Sequence, residues 1–280
     1  EQLRRKDLFT VVIDLFATDT ADFADIVLPA ASFLEFDDLV TPYFSYYLSA
    51  QSKAEEAPGE ALPNQEIFRR LSKAMGYADE YLYESDADIL GAVLDKSGLG
   101  IDFETLKQLG TIDPWSTPLN VFEDHCYATP SGCIELASDR AEADGYPRTA
   151  QPVFDEVVAS DEYRLLSPAS VWQLNDSYGN EPHIQRVLGE GTVLLNPSDA
   201  RRGNFFDGQV VELYNATGAL TLKVAVSDIV RAGVALSHKG RWAKLDSTRA
   251  NVNVLNPGEP TDMGESSAVH GTRVKIRAAP

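Results

Sequence analysis

The sequence from residue 163 onward consists of short apolar runs separated by turn residues, and this pattern limits the possible folds more than any other feature. The segment 215–218, Asn-Ala-Thr-Gly, is a predicted hairpin turn. The last run, Arg-Val-Lys-Ile-Arg at 273–277, alternates strictly, which is typical of a strand. The strand-like runs are 163–166, 192–195, 210–214, 220–226, 233–236 and 273–277. Many short strands with intervening turns predict a small barrel or a sandwich.

The first part of the chain has a different pattern. Residues 8–13, Leu-Phe-Thr-Val-Val-Ile, form a continuous apolar run that predicts a strand buried on both faces, as in a parallel sheet with flanking helices. A second short strand is predicted at 26–28. Between the two strands, Asp19 or Thr20 is placed to cap a short helix. Strand, helix and strand in this order predict an α/β unit.

Three further helices are predicted before residue 110. The first covers 64–77, where apolar residues recur at helical spacing between Pro63 and Gly76. The second begins with a capping box at 85–88 and stops at Gly98. The third covers 102–109. The polar segment 140–160, which contains two prolines, is predicted to be a linker.

Charge divides the chain at nearly the same place as the strand pattern. The 280 residues carry 24 Lys and Arg against 43 Asp and Glu, a formal charge of −19. Residues 1–160 hold 30 acidic and 11 basic side chains, whereas 161–280 hold 13 of each. We therefore predict two domains, 1–155 and 156–280. A chain this acidic repels a phosphate backbone, so nucleic acid is not an expected partner. No run of about eighteen apolar residues occurs, so no membrane span is expected.

The two cysteines, Cys126 and Cys133, are too few for a disulfide framework and lack CxxC spacing. Free cysteines are usually buried, so these are predicted to be reduced structural thiols. A structural zinc site is not expected, because zinc usually takes four ligands and the four histidines are scattered. The chain starts at Glu1 without a Met and reaches a predicted strand within a few residues. We therefore expect it to be a piece of a longer polypeptide.

Several motifs in the first part resemble the molybdopterin oxidoreductases, the dimethyl sulfoxide reductase family. Residues 18–30, Thr-Asp-Thr-Ala-Asp-Phe-Ala-Asp-Ile-Val-Leu-Pro-Ala, resemble the family pattern TxTAxxADxVLP. Glu35 lies where the family has a Glu shortly after the Pro. Residues 58–68 resemble its PxGEAxxNxEIF segment. Residues 129–132 resemble its TPSGK turn, with a strand expected at 134–136 and Cys133 in place of the usual Lys.

The second part resembles the C-terminal domain of the same family. Residues 196–218 resemble its pattern NPxDAxxxGxxDGxxVxVxNxxG, and 228–234, 240–242 and 251–255 resemble the elements that follow. The resemblance implies a double-psi β-barrel that binds molybdopterin guanine dinucleotide. The expected fold class is thus an α/β N-terminal part, with a parallel sheet and flanking helices, followed by a mainly β double-psi barrel.

The resemblance implies that the chain is the C-terminal fragment of a molybdenum or tungsten bis(molybdopterin guanine dinucleotide) oxidoreductase. The family's metal ligand and iron–sulfur cysteines lie in an N-terminal half that this sequence does not include, so the fragment alone is expected to be inactive. Its implied partners are that N-terminal half and an iron–sulfur electron-transfer subunit. Two alternatives remain: a cofactor-free structural subunit of an electron-transfer complex, and a non-redox hydratase or transhydroxylase. Cytoplasmic and periplasmic locations both remain open.

Nine residues are predicted to contact the cofactor. Three follow a strand at the edge of an open α/β sheet, where ligands usually bind: Asp14, Thr18 and Thr20. The others are implied by the resemblance, four of them in the loop after the first barrel strand: Ser170, Gln173, Asn175, Ser177, Asn253 and Asp262. For Asn253 and Asp262, a plain loop role is an equal alternative, and for Thr20 helix capping is favoured.

Other polar and aromatic residues have structural interpretations. Trp172 is predicted to fill a core, and three histidines to be structural or surface residues: His183, His238 and His270. The aromatic stretch 37–47 is predicted to be a packing loop, with the lining of a substrate funnel as its alternative.

Overall fold

The computed structural model describes residues 2–115, 119–152, 159–261 and 264–279. The chain divides into two units, Glu1–Cys126 and Tyr127–Pro280. The change in charge near residue 160 lies within the second unit.

The first unit contains two small sheets and three helices. Its elements are β1 (Val11–Asp14), β2 (Ile26–Pro29), β3 (Asp38–Val40), β4 (Leu48–Gln51), α1 (Asn64–Met75), α2 (Asp86–Ser97), α3 (Phe103–Leu109) and β5 (Thr111–Ile112). Strands β1 and β2 pair in parallel, whereas β3, β4 and β5 form an antiparallel sheet. The prediction of a parallel sheet is therefore correct for two strands, and the three-stranded antiparallel sheet was not predicted.

The prediction that the first strand is buried on both faces is wrong in this structure. Val11 on β1 and Val27 on β2 are 46% and 48% exposed. A parallel strand is buried only when a layer packs on each face of its sheet. In the described part of this unit, the two-stranded sheet has no such double cover.

The three predicted helices are confirmed, and local interactions explain their ends. In the capping box of α2, the Ser85 Oγ accepts from the Asp88 N–H, and the Asp88 carboxylate accepts from the Ser85 N–H at 3.1 Å. Both α1 and α2 end at a glycine in the left-handed conformation, Gly76 and Gly98. Leu48, Leu94 and Leu106 form the core beneath β4, α2 and α3.

One ion pair in the first unit makes its stability depend on pH. The Lys107 Nζ lies 2.9 Å from an Asp37 oxygen, and the Lys53 N–H donates to the other oxygen at 2.7 Å. Burial acts to raise the pKa of Asp37, but these interactions outweigh it and hold that pKa below its ordinary value. A lowered pKa in the folded state stabilises the fold above the unfolded-state pKa, and this stabilisation is lost as pH falls through the folded-state value.

We therefore expect Asp37→Asn to lower the free energy of unfolding at pH 7 by about 1 kcal/mol or less, the range of partly exposed pairs. The deficit should shrink as the pH falls below roughly 4, where the wild-type carboxylate is itself protonated. Urea unfolding of the full chain at pH 7 and pH 3 measures both values. Asp95→Asn, at an exposed site on α2, is the control. A deficit that stays the same at both pH values would contradict the assignment.

The second unit is built on a barrel. Its elements are α4 (Asp139–Ala143), β6 (Tyr163–Leu166), α5 (Pro182–Leu188), β7 (Thr192–Leu195), α6 (Pro197–Gly203), β8 (Val210–Tyr214), β9 (Ala219–Val226), β10 (Val234–Leu236) and β11 (Arg273–Ala278). All six predicted strands are present, and they close in the order β10-β6-β11-β8-β9-β7. The barrel alternative is therefore correct and the sandwich is not. The pairs β10–β6 and β7–β9 are parallel, and the other four pairs are antiparallel.

The barrel interior is filled by alternate residues of each strand, as closed barrels require. Val193, Leu195, Val211 and Leu213 are fully buried there. Leu255 is also fully buried, although it belongs to a 3₁₀ turn, Val252–Leu255, rather than to a strand. Burial of a leucine side chain contributes about 1.5–3 kcal/mol, so this turn is anchored firmly to the barrel.

Polar side chains of the sequence motifs connect the barrel elements to one another. The predicted hairpin at 215–218 joins β8 to β9, and the Asn215 Oδ1 accepts from the Thr217 and Gly218 N–H groups. The Asn215 amide also donates to the Leu255 carbonyl at 2.7 Å and to the Arg273 carbonyl at 3.1 Å. Asn215 therefore joins the hairpin, the 3₁₀ turn and β11.

Two predictions near the unit boundary are wrong, and a third, the linker, is wrong at its start. The strand expected at 134–136 is irregular, and its Ile134 and Leu136 are largely exposed. A strand needs a neighbour to receive its hydrogen bonds, and the described residues supply none there. Both Cys126 and Cys133 are exposed, so they are not buried structural thiols. The linker predicted at 140–160 overlaps α4, and residues 153–158 lie outside the described residues.

Candidate functional site

Two loops leave the same end of the barrel side by side. Strands β6 and β10 are parallel, so the segments that follow them, 167–177 and 237–247, start at neighbouring positions. The Ser237 N–H donates to the Leu166 carbonyl, and the Lys239 N–H donates to the Pro168 carbonyl, each at 3.0 Å. These segments are called the paired loops below.

The paired loops approach each other most closely at Gly240. Its φ is +99°, and a side chain built there would overlap the Asn175 carbonyl oxygen. The buried Gln173 donates from Nε2 to the Gly240 carbonyl at 2.9 Å, and the Trp242 indole N–H donates to the Asp176 carbonyl at 2.7 Å. The site thus requires a residue without a side chain at position 240.

A cavity of about 230 Å³ lies against one side of the paired loops and is called the arginine cavity. Its lining residues are Gln173, Gly179, Gln185, Leu188, Gly189, Glu190, Arg241, Trp242, Leu245, Asp246 and Ser247. The Arg241 guanidinium donates to the carbonyls of Leu188, Gly189 and Glu190 and to the Asp246 carboxylate. The buried Gln173 Oε1 has no hydrogen-bond partner in the described part of the chain.

A second cavity, of about 180 Å³, is called the lysine cavity. Its lining residues are Leu165, Ser167, Pro168, Ala169, Lys239, Val252, Asn253, Asn256, Val269, His270 and Thr272. Ser167 is 8% exposed. The side chains of Ser167, Lys239, Asn253 and His270 form no hydrogen bond or ion pair with other described residues. Their polar groups are therefore available to a ligand.

The predicted loop residues play different parts. Gln173 lines the arginine cavity. The Ser170 Oγ accepts from the Trp172 N–H at 3.1 Å, and Asn175 supplies a left-handed turn with φ +56°. Ser177 is exposed. In the following part of the barrel, Asn253 lines the lysine cavity, and Asp262 lies outside the described residues.

The other three predicted site residues lie in the first unit, at the end of β1 and in the segment that follows it. The Thr18 hydroxyl donates to the Asp14 carboxylate at 3.3 Å. Thr20 precedes a 3₁₀ turn, Ala21–Phe23, and its side chain forms no capping hydrogen bond. The favoured capping interpretation of Thr20 is therefore wrong in this structure.

Several aromatic residues are more exposed than their sequence suggested. Trp172 is 49% exposed, so it does not fill a core within this chain. Tyr43 and Phe44 are fully exposed, which contradicts the packing-loop interpretation for these two residues. Tyr46 packs edge-on against Trp115, as expected of a packing residue.

Sequence reasoning missed three polar residues of the cavities, Ser167, Lys239 and Arg241, and assigned His270 to the structure or surface. His270 is exposed, and it also lines the lysine cavity. The signal that pointed to the cations was the segment Lys-Gly-Arg at 239–241, where a glycine lies between two cations.

Neither a metal cluster nor a membrane-spanning helix is present among the described residues. No group of three or more His, Cys, Asp or Glu side chains there is placed to hold a metal ion. No helix of the described segments has the length and apolar character needed to cross a bilayer.

Two family models match the chain. Residues 163–273 match the "Molydopterin dinucleotide binding domain", and residues 1–74 match "Molybdopterin oxidoreductase". The first match contains the whole barrel up to β11 and both paired loops. These matches define the class of protein as the molybdopterin oxidoreductases.

Relatives along the whole chain agree with that class. A probable oxidoreductase of Bacillus subtilis, YoaE, is 34% identical over 289 residues, which is 98% of this chain and 40% of the relative. A putative catalytic subunit of dimethyl sulfoxide reductase from Halobacterium salinarum is 28% identical, over 98% of this chain and 34% of the relative. The chain thus spans about 40% or less of the length of these two relatives. It belongs to the molybdopterin oxidoreductase family.

A solved structure has the same fold. Acetylene hydratase from Pelobacter acetylenicus superposes with a TM-score of 0.79 at 19% identity, over 97% of this chain and 40% of that protein. At this identity, the likeness extends to the fold alone.

Proposed function

We propose that this chain is the C-terminal, cofactor-binding part of a molybdenum or tungsten bis(molybdopterin guanine dinucleotide) oxidoreductase, and that its barrel is of the double-psi type. The observation that carries the proposal is the pair of cavities beside the paired loops. Both contain polar groups without partners among the described residues, and both fall almost wholly within the segment that matches the dinucleotide-binding model.

The polar groups of the two cavities fit such a cofactor. A pterin dinucleotide carries amide-like and amino donors on its rings and a diphosphate between them. The unpartnered Gln173 Oε1 is an acceptor whose isolation costs about 1–3 kcal/mol unless a donor reaches it. The lysine cavity supplies donors from Lys239, His270, Ser167 and Asn253. When bound, the cofactor supplies the metal centre at which oxygen atoms or electrons are transferred.

The contribution of this chain is binding and orientation. Its paired loops hold Gln173 and Lys239 on one rigid frame, because hydrogen bonds join the loops at Leu166, Pro168 and Gly240. In this proposal the metal ligand and the substrate funnel lie in the rest of the polypeptide, so the chain alone is inactive. Metal-dependent turnover by the isolated chain would contradict this part of the proposal.

We also propose that the intact protein associates with the N-terminal half of its own polypeptide and with an iron–sulfur electron-transfer subunit. A relative from Methanocaldococcus jannaschii, named as the alpha subunit of an F420-dependent formate dehydrogenase, is 27% identical over 88% of this chain. Its name describes one component of a larger enzyme, which supports the proposed association with an iron–sulfur electron-transfer subunit.

The non-redox alternative, a hydratase or transhydroxylase, is not separated from the redox enzyme by the fold shared with acetylene hydratase, because at 19% identity the likeness concerns the fold alone. The cofactor-free alternative, a structural subunit, is disfavoured by the buried Gln173 Oε1 of the arginine cavity, since burial without a donor is costly for this oxygen. Cofactor content separates the cofactor-free alternative from the other two, and electron transfer to a dye separates the redox enzyme from the hydratase.

The test is the cofactor content of the full-length protein. We expect molybdenum or tungsten by mass spectrometry of the metal, and two guanine nucleotides per metal after acid release. Gln173→Leu should lower both by at least about threefold, because it removes the amide that joins the loops and leaves the Gly240 carbonyl unpaired. Gln151→Leu, at an exposed site of the same unit, is the matched control. A folded wild-type protein without metal and nucleotide would overturn the proposal.

A further inference from the structure

We propose that Cys126 and Cys133 are a redox-sensitive pair that closes to a disulfide across the turn at 129–132, with a low-molecular-weight disulfide such as oxidised glutathione as the oxidant. Both thiols are free and exposed in this structure, so the pair is in its reduced form. Cys133 stands where the family pattern has a lysine, so the pair is a feature of this chain and not of that pattern. The inference uses no cofactor contact and is independent of the proposed function.

One backbone hydrogen bond sets the two cysteines opposite each other. The Tyr127 N–H donates to the Gly132 carbonyl at 3.1 Å, and the chain reverses its direction between these two residues. In an antiparallel pair, the residue before the donor faces the residue after the acceptor. Cys126 and Cys133 occupy these two positions.

The separation at such positions suits a disulfide. Residues that face each other next to a hydrogen-bonded pair have Cα atoms about 4.5 Å apart, and their side chains lie on the same face. Disulfides join residues whose Cα atoms are about 4.4–6.8 Å apart. Closure of the pair therefore requires rotation of two side chains and little movement of the backbone.

Local hydrogen bonds hold the turn in place before the disulfide forms. The Gly132 N–H donates to the Thr129 carbonyl at 3.0 Å, and the Thr129 hydroxyl donates to the Cys133 carbonyl at 2.7 Å. The Cys126 N–H donates to the Asp124 carboxylate at 2.9 Å. Gly132 has φ +68°, a conformation that glycine adopts without strain. Because the loop between the two cysteines is short and already ordered, its closure loses little entropy.

The reaction consists of two successive thiol–disulfide exchanges. One cysteine loses its proton to solvent, and its thiolate attacks a sulfur of oxidised glutathione, which forms a mixed disulfide and releases one glutathione thiolate. The thiolate of the other cysteine then attacks the protein sulfur of the mixed disulfide. The bond between Cys126 and Cys133 forms, and the second glutathione thiolate leaves. Two protein thiols are oxidised, one glutathione disulfide is reduced, and the two protons pass through solvent to the two glutathione thiolates.

The experiment measures the closed fraction of the pair in the full-length protein. The protein is equilibrated with oxidised and reduced glutathione at increasing ratios, quenched with acid, alkylated with iodoacetamide and digested with trypsin. Residues 108–140 are released as one peptide, since no Lys or Arg lies between Lys107 and Arg140. The open pair carries two alkyl groups, whereas the closed pair carries none and has lost two hydrogen atoms. After cleavage by chymotrypsin at Tyr127, only the disulfide still joins the two halves of this peptide.

We expect the closed fraction of the wild type to rise with the oxidised-to-reduced ratio through a single transition. The matched control combines Cys133→Ser with Ile134→Cys, which moves the second thiol by one residue to the opposite face, at a site that is 64% exposed. Its equilibrium constant for closure should be lower by at least about tenfold, because the two thiols meet at a lower effective concentration. Cys126→Ser and Cys133→Ser should each form only a mixed disulfide with glutathione.

The outcomes separate this inference from the proposed function. A wild type that carries two alkyl groups or two glutathione adducts at every ratio would overturn the pairing. Equal equilibrium constants for the wild type and the shifted pair would overturn the placement of Cys126 opposite Cys133. Metal and guanine nucleotide content of the same samples reports the proposed function independently of either result. Both cysteines and Ile134 are exposed, so the variants are expected to fold, and the titration of the wild type tests the pairing without any variant.

Discussion

Replacing Gly240 by alanine should lower the free energy of unfolding of the second unit by about 3–5 kcal/mol and abolish cofactor retention. The added methyl group overlaps the Asn175 carbonyl oxygen and lies 3.2 Å from the Gln173 Oε1. Both neighbours are parts of the opposite loop, and the Asn175 oxygen is backbone, which cannot rotate away. Relief requires the paired loops to separate, and this breaks the bond from Gln173 to the Gly240 carbonyl. The positive φ adds about 1 kcal/mol.

A second glycine separates the overlap from the backbone strain. Gly258 has φ +72°, and a side chain built there meets no atom within 4 Å. Gly258→Ala should therefore lower the free energy of unfolding only through the strain of the positive φ, by about 1 kcal/mol. Urea unfolding followed by circular dichroism gives both values, and metal analysis of the full-length variants gives cofactor retention. If the two alanine variants lose the same free energy of unfolding, the close approach of the paired loops at Gly240 does not contribute to stability.

The barrel was predictable from the sequence because the patterns that specify its strands and turns are local. Each strand is a short apolar run, and the turn at 215–218 contains an Asn that accepts two backbone N–H groups. Helices α1, α2 and α3 were predictable for the same reason, since each begins or ends at a capping residue. The weakly apolar β3, β4 and β5 were missed, because strands of two to four residues carry little pattern and depend on pairing between distant segments.

The site was only partly predictable. The sequence indicated the loop 167–177 as a cofactor loop, and the structure places Gln173 of this loop in a cavity. It did not indicate that Ser170 and Asn175 serve the turns of the same loop. The segment Lys-Gly-Arg at 239–241 draws attention to Lys239, but its place beside the loop 167–177 depends on the parallel pairing of β10 with β6, which a local segment does not reveal. The pairing of the two strands, rather than a sequence motif, places the Lys239 side chain at the cavity.

Several motif residues that resemble the family pattern hold the barrel together. Asn196 caps α6 by accepting from the Ser198 N–H, and its amide donates to the Val230 carbonyl at 2.8 Å. Asp207 accepts from the Val226 N–H at 2.9 Å. In the motif at 196–200, the polar residues therefore connect α6 to the segment that leads into β10 and the paired loops. A match to such a motif therefore predicts how the barrel elements around the site are joined. It predicts less directly which residues contact a ligand.

Asp199 shows this role most strongly, and Asp199→Ala should lower the free energy of unfolding by about 1–3 kcal/mol, the cost of leaving a buried N–H without its acceptor. Its side chain is fully buried. One carboxylate oxygen accepts from the Gly233 N–H at 2.7 Å, and the other lies 2.9 Å from the Arg202 Nη2. The variant leaves that N–H without its acceptor and the guanidinium without its counter-ion, at the turn that starts β10.

The same change should reach the lysine cavity through β10. Gly233 immediately precedes β10, and Lys239 lies three residues after that strand ends. We therefore expect Asp199→Ala to lower cofactor retention by the full-length protein as well as stability, whereas Asp199→Asn, which keeps an oxygen for the Gly233 N–H, should lose less of both. Asp228→Ala, at an exposed carboxylate in the same segment, is the control and should change neither. Urea unfolding and metal analysis of the three full-length variants measure the coupling. If Asp199→Ala is destabilised but retains as much metal as the wild type, the Asp199–Gly233 contact supports the barrel without positioning Lys239.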